Sequence, residues 1–143
     1  MNVTTILSAK GGDVISIEPA ATLETAVRML AERGIGALLV LGPDRRLVGI
    51  LSERDIVRVL AEQGAGVLAQ PLSQVMTRKV VTCSPSDTVD VLMERMTTGK
   101  FRHVPVVEQE KVIGIISIGD VVKHRVKEIE QESAALRDYI QTA

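Results

Sequence analysis

The sequence predicts a mixed α/β (α+β) fold: two copies of one β-α-β-β-α unit packed with pseudo-two-fold symmetry, plus a C-terminal helix. Three observations lead there. First, the chain repeats itself. Residues 14–58 and 80–123 align so that Pro19 meets Pro85, Thr22 meets Thr88 and Val40 meets Val106. After a one-residue deletion between Gly42 and Arg46, Gly49 meets Gly114, Ser52 meets Ser117 and Asp55 meets Asp120. Second, apolar spacing changes period at the same places in both copies. Third, a unit of about 45 residues is too small to bury an adequate core alone, so the two copies must close against each other through their apolar sheet faces.

Each element has a local reason. A β-branched run at 14–17, matched by 80–82, reads as a strand, and Pro19 or Pro85 ends it. Thr22 and Thr88 are placed to N-cap a helix. Leu23, Ala26, Val27 and Leu30 then share one helical face, as do Val89, Leu92, Met93 and Met96. Two apolar runs joined by a polar turn follow in each copy, at 37–41 and 47–51, then at 104–107 and 112–116, and read as hairpins. A second helix starts at Ser52 and at Ser117. Residues 64–77 join the copies and hold Gly64, Gly66, Pro71 and a short helical turn over 72–76; residues 2–9 are the matching lead-in to the first copy.

Composition excludes several classes. Among 143 residues, apolar side chains make up 45% and charged ones 24%, ordinary values for a folded domain. Seventeen Lys+Arg against eighteen Asp+Glu give a net charge of −1, which argues against a nucleic-acid binder. Phe101 and Tyr139 are the only aromatics, too few for a base-stacking platform. The longest apolar stretch, 34–42, is about half the ~18 residues of a membrane span. The start, MNVTTILSAKGG, shows no signal-peptide pattern, and a lone Cys83 fits a reducing compartment, so a cytoplasmic protein is expected.

With those segments in view, the chain resembles the CBS (cystathionine β-synthase) domain, and two in tandem resemble a CBS pair, or Bateman module. RHVPVV at 102–107, GIISIGD at 114–120 and GILSERD at 49–55 carry the resemblance, which covers roughly residues 3–125. It divides the chain into a first repeat (3–63), a linker and lead-in (64–79), a second repeat (80–125) and a helical extension (126–143). The resemblance implies two facing sheets and two related clefts between the repeats. Such clefts commonly hold AMP, ADP, ATP, NAD(H) or S-adenosylmethionine. It also implies modules that pair into discs and regulate an enzyme or channel.

Candidate site residues follow. Ser52 with Asp55, and Ser117 with Asp120, read as capping boxes at helix starts. The resemblance adds a compatible role, in which each carboxylate accepts hydrogen bonds from a ribose diol and the helix start faces phosphate. Arg102 suits bidentate phosphate recognition, and His103 adds a donor and pH sensitivity. Their first-copy equivalents, Gly36 and Ala37, cannot neutralise phosphate, so the clefts should be unequal. The family pattern joins Asp55 to Arg102 and His103 in the phosphate-competent cleft and sets Asp120 opposite Gly36 and Ala37. Arg54 adds charge beside Asp55, and Pro105 fixes a strand edge. Cys83 reads as structural and His124 as part of a solvated helix face; no zinc spacing, P-loop or catalytic constellation is present, so no metal, no catalytic residue and no required cofactor are expected.

The leading functional expectation is therefore a stand-alone regulatory module, not an enzyme. It would bind an adenine nucleotide as an energy or redox-state sensor and act on a separate regulated enzyme. The alternatives are a structural dimerisation subunit with empty clefts and a nucleotide-processing enzyme. A helix is expected over 119–140, with Val122, Val126, Ile129, Leu136 and Ile140 on one stripe and Ser133 filling its gap. That stripe either folds back on its own repeat or contacts a second subunit, and a homodimer is expected.

Overall fold

A computed structural model describes residues 2–142. The first repeat contains β1 (Ser16–Ile17), α2 (Leu23–Arg33), β2 (Ala37–Leu41), β3 (Leu47–Ser52) and α3 (Glu53–Gln63), preceded by α1 (Val3–Lys10). The second contains α4 (Val89–Gly99), β4 (His103–Glu108), β5 (Lys111–Ser117) and α5 (Ile118–Thr142). Short 3-10 turns at Ala65–Ala69 and Leu72–Gln74 lie between them. The expected caps form: the Thr22 hydroxyl accepts from the Thr25 N–H at 3.3 Å and that of Thr88 from the Val91 N–H at 3.2 Å. Both hairpins are antiparallel, and the equivalent glycines take equivalent places, Gly49 opposite Val40 and Gly114 opposite Val106.

The copies differ at their first strand. β1 runs parallel to β2 for only two residues. The expected strand at 80–82 does not form, and the equivalent contact is a single bridge between Cys83 and Val106. Val80 and Val81 leave the sheet to line a cleft instead, and Val81 stays 43% exposed.

Each repeat has its own core, and each core is completed by a segment from outside the repeat. Leu23, Ala26 and Leu30 of α2 pack with Leu38, Val40, Leu51 and Ile56, and with Leu72, Val75 and Met76 from the linker. Leu92, Met96, Val104, Val106 and Ile116 pack with Val3 and Ile6 of α1. Residues 3–10, which the expected 3–63 boundary assigns to the first repeat, thus pack in the core of the second. Backbone bonds fix both insertions: Val3 N–H to Asp87 O (2.9 Å), Thr4 N–H to Pro85 O (3.1 Å), Leu72 N–H to Ala21 O (2.8 Å) and Ser73 N–H to Pro19 O (3.1 Å). The repeats also touch at the turn Pro43–Arg45, where Arg45 Nε donates to Val112 O at 3.1 Å.

The inserted segments explain the paired glycines. A Cβ on Gly49 would lie 2.7 Å from Met76 Sδ and 2.8 Å from Thr77 O, and one on Gly114 would lie 2.6 Å from Leu7 Cδ2. The first obstacle includes backbone and cannot swing away, whereas the second is the free end of a side chain. Gly49→Ala is expected to cost about 1–3 kcal/mol, as overpacking does, and Gly114→Ala less. Urea unfolding of both variants checks this, and equal losses would contradict it.

Candidate functional site

The site grows from the junctions where a central strand runs straight into a helix. Ser52 ends β3 and caps α3; its hydroxyl accepts from the Asp55 N–H at 3.2 Å, while Asp55 Oδ2 accepts from the Ser52 N–H at 3.0 Å. Ser117 and Asp120 repeat this at the head of α5, with distances of 3.1 and 2.8 Å. The capping-box reading therefore holds in both copies. The cap fixes each carboxylate against its strand end, and Asp55 is only 7% exposed.

What meets the two acids differs. The Thr77 hydroxyl donates to Asp55 Oδ1 at 3.3 Å, and Arg58 Nη1 lies 3.2 Å from the same oxygen. The equivalent position at Asp120 is taken by Lys10 from α1. Its ammonium donates to Asp120 Oδ2 at 2.5 Å and to Ile115 O at 2.7 Å. Burial would raise the Asp120 carboxyl, but hydrogen bonds from Lys10 and the Ser117 N–H outweigh it and hold the carboxyl below its usual range.

Asp55 borders a cleft of about 830 Å³ that runs between the repeats. Ser52, Arg54 and Asp55 line it from the first repeat, and Arg102 and His103 from the second. Ser117, Asp120 and Pro105 do not line it. Pro105 is buried within β4, opposite Ile115, and its carbonyl accepts from the Cys83 N–H at 3.0 Å. Gly36, expected opposite Asp120, lines the Asp55 cleft instead, and Ala37 is buried. The reason is that the entrances of β2 and β4 lie side by side: a Cβ on Gly36 would sit 3.6 Å from His103 Cε1.

The sequence reading missed Thr77, Lys79, Lys100 and Phe101, which also line this cleft. A signal was present in the repeat itself. Lys79, Lys100, Arg102 and His103 stand where the first copy has Asp13, Gly34, Gly36 and Ala37. These departures between the copies add basic side chains, and all four gather at one cleft. Lys100 is the most telling. It ends α4 with φ 58° and ψ 37°, the left-handed conformation that Gly34 adopts at the end of α2. A lysine there costs about 1 kcal/mol relative to a right-handed residue, and its carbonyl accepts from Arg54 Nη1 at 2.9 Å. With Arg54, Lys79, Lys100 and Arg102 facing Glu53 and Asp55, the cleft carries a positive excess.

His103 is half-buried between this cleft and Lys10. Burial first, then the charge of Lys10, push its imidazole below the usual range; Asp120 and Glu53 oppose this without reversing it. His103 is therefore harder to protonate than a free imidazole. Burial, aided by the Asp87 carboxylate, pushes the Cys83 thiol up to about 12, which leaves it protonated and unreactive. His124 was expected on a solvated face, but it is half-buried, and its Nε2 has no hydrogen-bond partner among the described residues. Among the described residues no group of three or more His, Cys, Asp and Glu could hold a metal, and no helix is long and apolar enough to cross a membrane.

Comparison with known proteins agrees with this architecture. The CBS domain family model matches twice, at residues 7–62 and 72–127. The chain belongs to the CBS domain family and carries two copies of the domain. It is 36% identical to the mitochondrial CBS domain-containing protein CBSX3 of Arabidopsis thaliana over 84% of its own length and 60% of the relative's. It spans 33% of a 37% identical protein from the ribosomal RNA operon of Thermofilum pendens. The crystal structure of a CBS-domain-containing protein from Agrobacterium tumefaciens is similar, with 46% identity, a TM-score of 0.84, and coverage of 87% of this chain and 99% of that one. A CBS domain protein from Pyrobaculum aerophilum complexed with AMP superposes with a TM-score of 0.74 at 28% identity, covering 84% of this chain and 89% of that one. A CBS domain pair in complex with 5′-methylthioadenosine and S-adenosyl-L-methionine superposes with a TM-score of 0.79 at 25% identity, covering 90% and 98%.

Because the folded pKa of His103 lies below its unfolded value of about 6.5, the unfolded chain binds this proton first as the pH falls. Its share of stability is intact above pH 6.5 and drains away on acidification through the folded pKa. His103→Gln should thus lose less stability than the parent between pH 7 and pH 5. Urea unfolding across that range checks this, and parallel profiles would contradict it.

Proposed function

We propose that this chain is a regulatory module that binds an adenine-containing nucleotide (AMP, ADP, ATP or NAD(H)) in the Asp55 cleft. One observation carries the reading: a single cleft joins basic side chains from both repeats to a carboxylate fixed at a helix start. Its volume suits a small organic ligand. Arg102, with Arg54, Lys79 and Lys100, would take phosphate, since guanidinium and ammonium groups make strong charge-assisted bonds to phosphate oxygens. Asp55, Ser52 and Thr77 would hold the ribose hydroxyls, and Ile50, Val81 and Phe101 would supply apolar contact to adenine. AMP, S-adenosylmethionine and methylthioadenosine in the complexes of similar proteins support an adenosine ligand. The cationic cleft lies at Asp55, whereas Lys10 sits against Asp120, so one nucleotide per chain is expected, at Asp55.

The module would act as an energy or redox-state sensor on a separate regulated enzyme, and would do so as a homodimer. The physical basis is that a ligand touching both repeats binds one relative angle of theirs better than another, and only such a difference can shift an equilibrium. The module performs no chemistry of its own in this reading.

Two measurements test the assignments. Isothermal titration with AMP and adenosine should show Arg102→Ala weakening AMP by roughly 10- to 100-fold, the loss of about 1.5–3 kcal/mol for a charged hydrogen bond, with adenosine little changed. Equal weakening of both would remove Arg102 from the phosphate site. If no adenine compound binds even at millimolar concentration, the clefts are empty and the chain is a structural subunit.

Lys100→Gly separates binding from folding. It relieves the left-handed strain of about 1 kcal/mol and adds about 0.5–1 kcal/mol of chain entropy to lose on folding, so the two nearly cancel. The melting temperature should barely move while AMP binding weakens, and unchanged AMP affinity would place Lys100 outside the site.

A further inference from the structure

We infer that the outer part of α5 pairs with the same helix of a second copy of this chain as a parallel, two-stranded coiled coil. This gives the homodimer proposed above a specific interface and rests on that reading, but it is independent of the nucleotide site.

The helix runs for 25 residues, and its first turn is anchored in the second repeat by the fully buried Val121. From residue 129 it leaves the body of the protein, and every residue to 142 is exposed. Unsupported, the outer stretch from 129 to 142 is marginal as a helix in water. It also holds an apolar seam open to solvent, with Val122 53%, Val126 47%, Ile129 59%, Leu136 60% and Ile140 65% exposed. The spacing alternates four and three, which is the heptad of a coiled coil. Val126, Ser133 and Ile140 take position a, and Val122, Ile129 and Leu136 take d. Val126 and Ile140 at a with Leu136 at d fit two parallel strands, and the polar Ser133 at a central a position sets register, as a buried polar residue does in such pairs.

The flanking charges select the orientation. Arg125 and Glu132 stand at g, and Glu130 and Arg137 at e. A parallel pair sets each g against the e of the next heptad on the other helix, so Arg125 meets Glu130 and Glu132 meets Arg137 of the second copy. Arg125 is already held by Asp90 and Glu128 of its own chain, so the second pair is the more telling. An antiparallel pair with the seams overlapped sets Glu130 against Glu130 and Glu132 against Glu132, and is repelled.

Sedimentation equilibrium of the full chain at micromolar concentration tests this, with circular dichroism as the check on folding. The parent should be a dimer. Leu136→Asp should give a folded monomer, because the position touches no core residue. Ser133→Ile, which completes the seam, should tighten the dimer about tenfold or more. Glu132→Arg and Arg137→Glu should each weaken it, and the two together should restore it. A dimer that survives Leu136→Asp, or charge reversals that do not rescue each other, overturns the coiled coil and leaves the homodimer standing. A monomeric parent overturns both.

Discussion

Val3 and Ile6, ahead of the first repeat in the chain, complete the core of the second, while Leu72, Val75 and Met76, ahead of the second repeat, complete the core of the first. The rest of the structure depends on this exchange. Each hairpin and its helices leave one edge of their apolar set uncovered; the linker after the first repeat covers the first, and α1 from the start of the chain covers the second. Gly49 and Gly114 are small because these segments press on them. The crossing of α1 ties the two repeats together, since the second core is completed by chain from ahead of the first.

The same exchange makes the two acid sites unequal. The segment reaching Asp55 presents the short hydroxyl of Thr77, which donates to the carboxylate. The segment reaching Asp120 ends in Lys10, whose ammonium binds both the carboxylate and the strand carbonyl of Ile115. Asp55 therefore borders a cleft ringed by Arg54, Lys79, Lys100 and Arg102, whereas Asp120 is held by a lysine from the start of the chain. The two repeats share one frame at these acids, and the residues that reach it differ.

The frame also links the cleft to the long helix. Arg102 and His103 begin β4, the Ile118 N–H donates to Arg102 O at 2.8 Å, and Ile118 begins α5. One backbone bond thus ties the entrance of β4 to the first turn of the helix that projects from the module. The first repeat has the same bond, from the Glu53 N–H to Gly36 O at 3.0 Å, but α3 ends at Gln63 and projects nowhere.

The sequence by itself determined what local physics and internal repetition control. Turn residues, Thr caps and helical apolar spacing fixed both α-helix starts, both hairpins and both Ser–Asp capping boxes, because each depends on residues within a few positions of one another. It also placed Arg102 and His103 with Asp55, through the family the repeats resemble. Tertiary structure decided the rest. The run at 80–82 has strand composition, but whether it pairs depends on what lies beside β4, and there only Cys83 makes a bridge. Lys79 and Lys100 read as surface lysines until the fold brings them to the same cleft as Asp55. Nothing near Lys10 in the chain announces Asp120, which lies 110 residues away. Such contacts join segments whose meeting is set by the closure of two cores, and no short-range pattern encodes that.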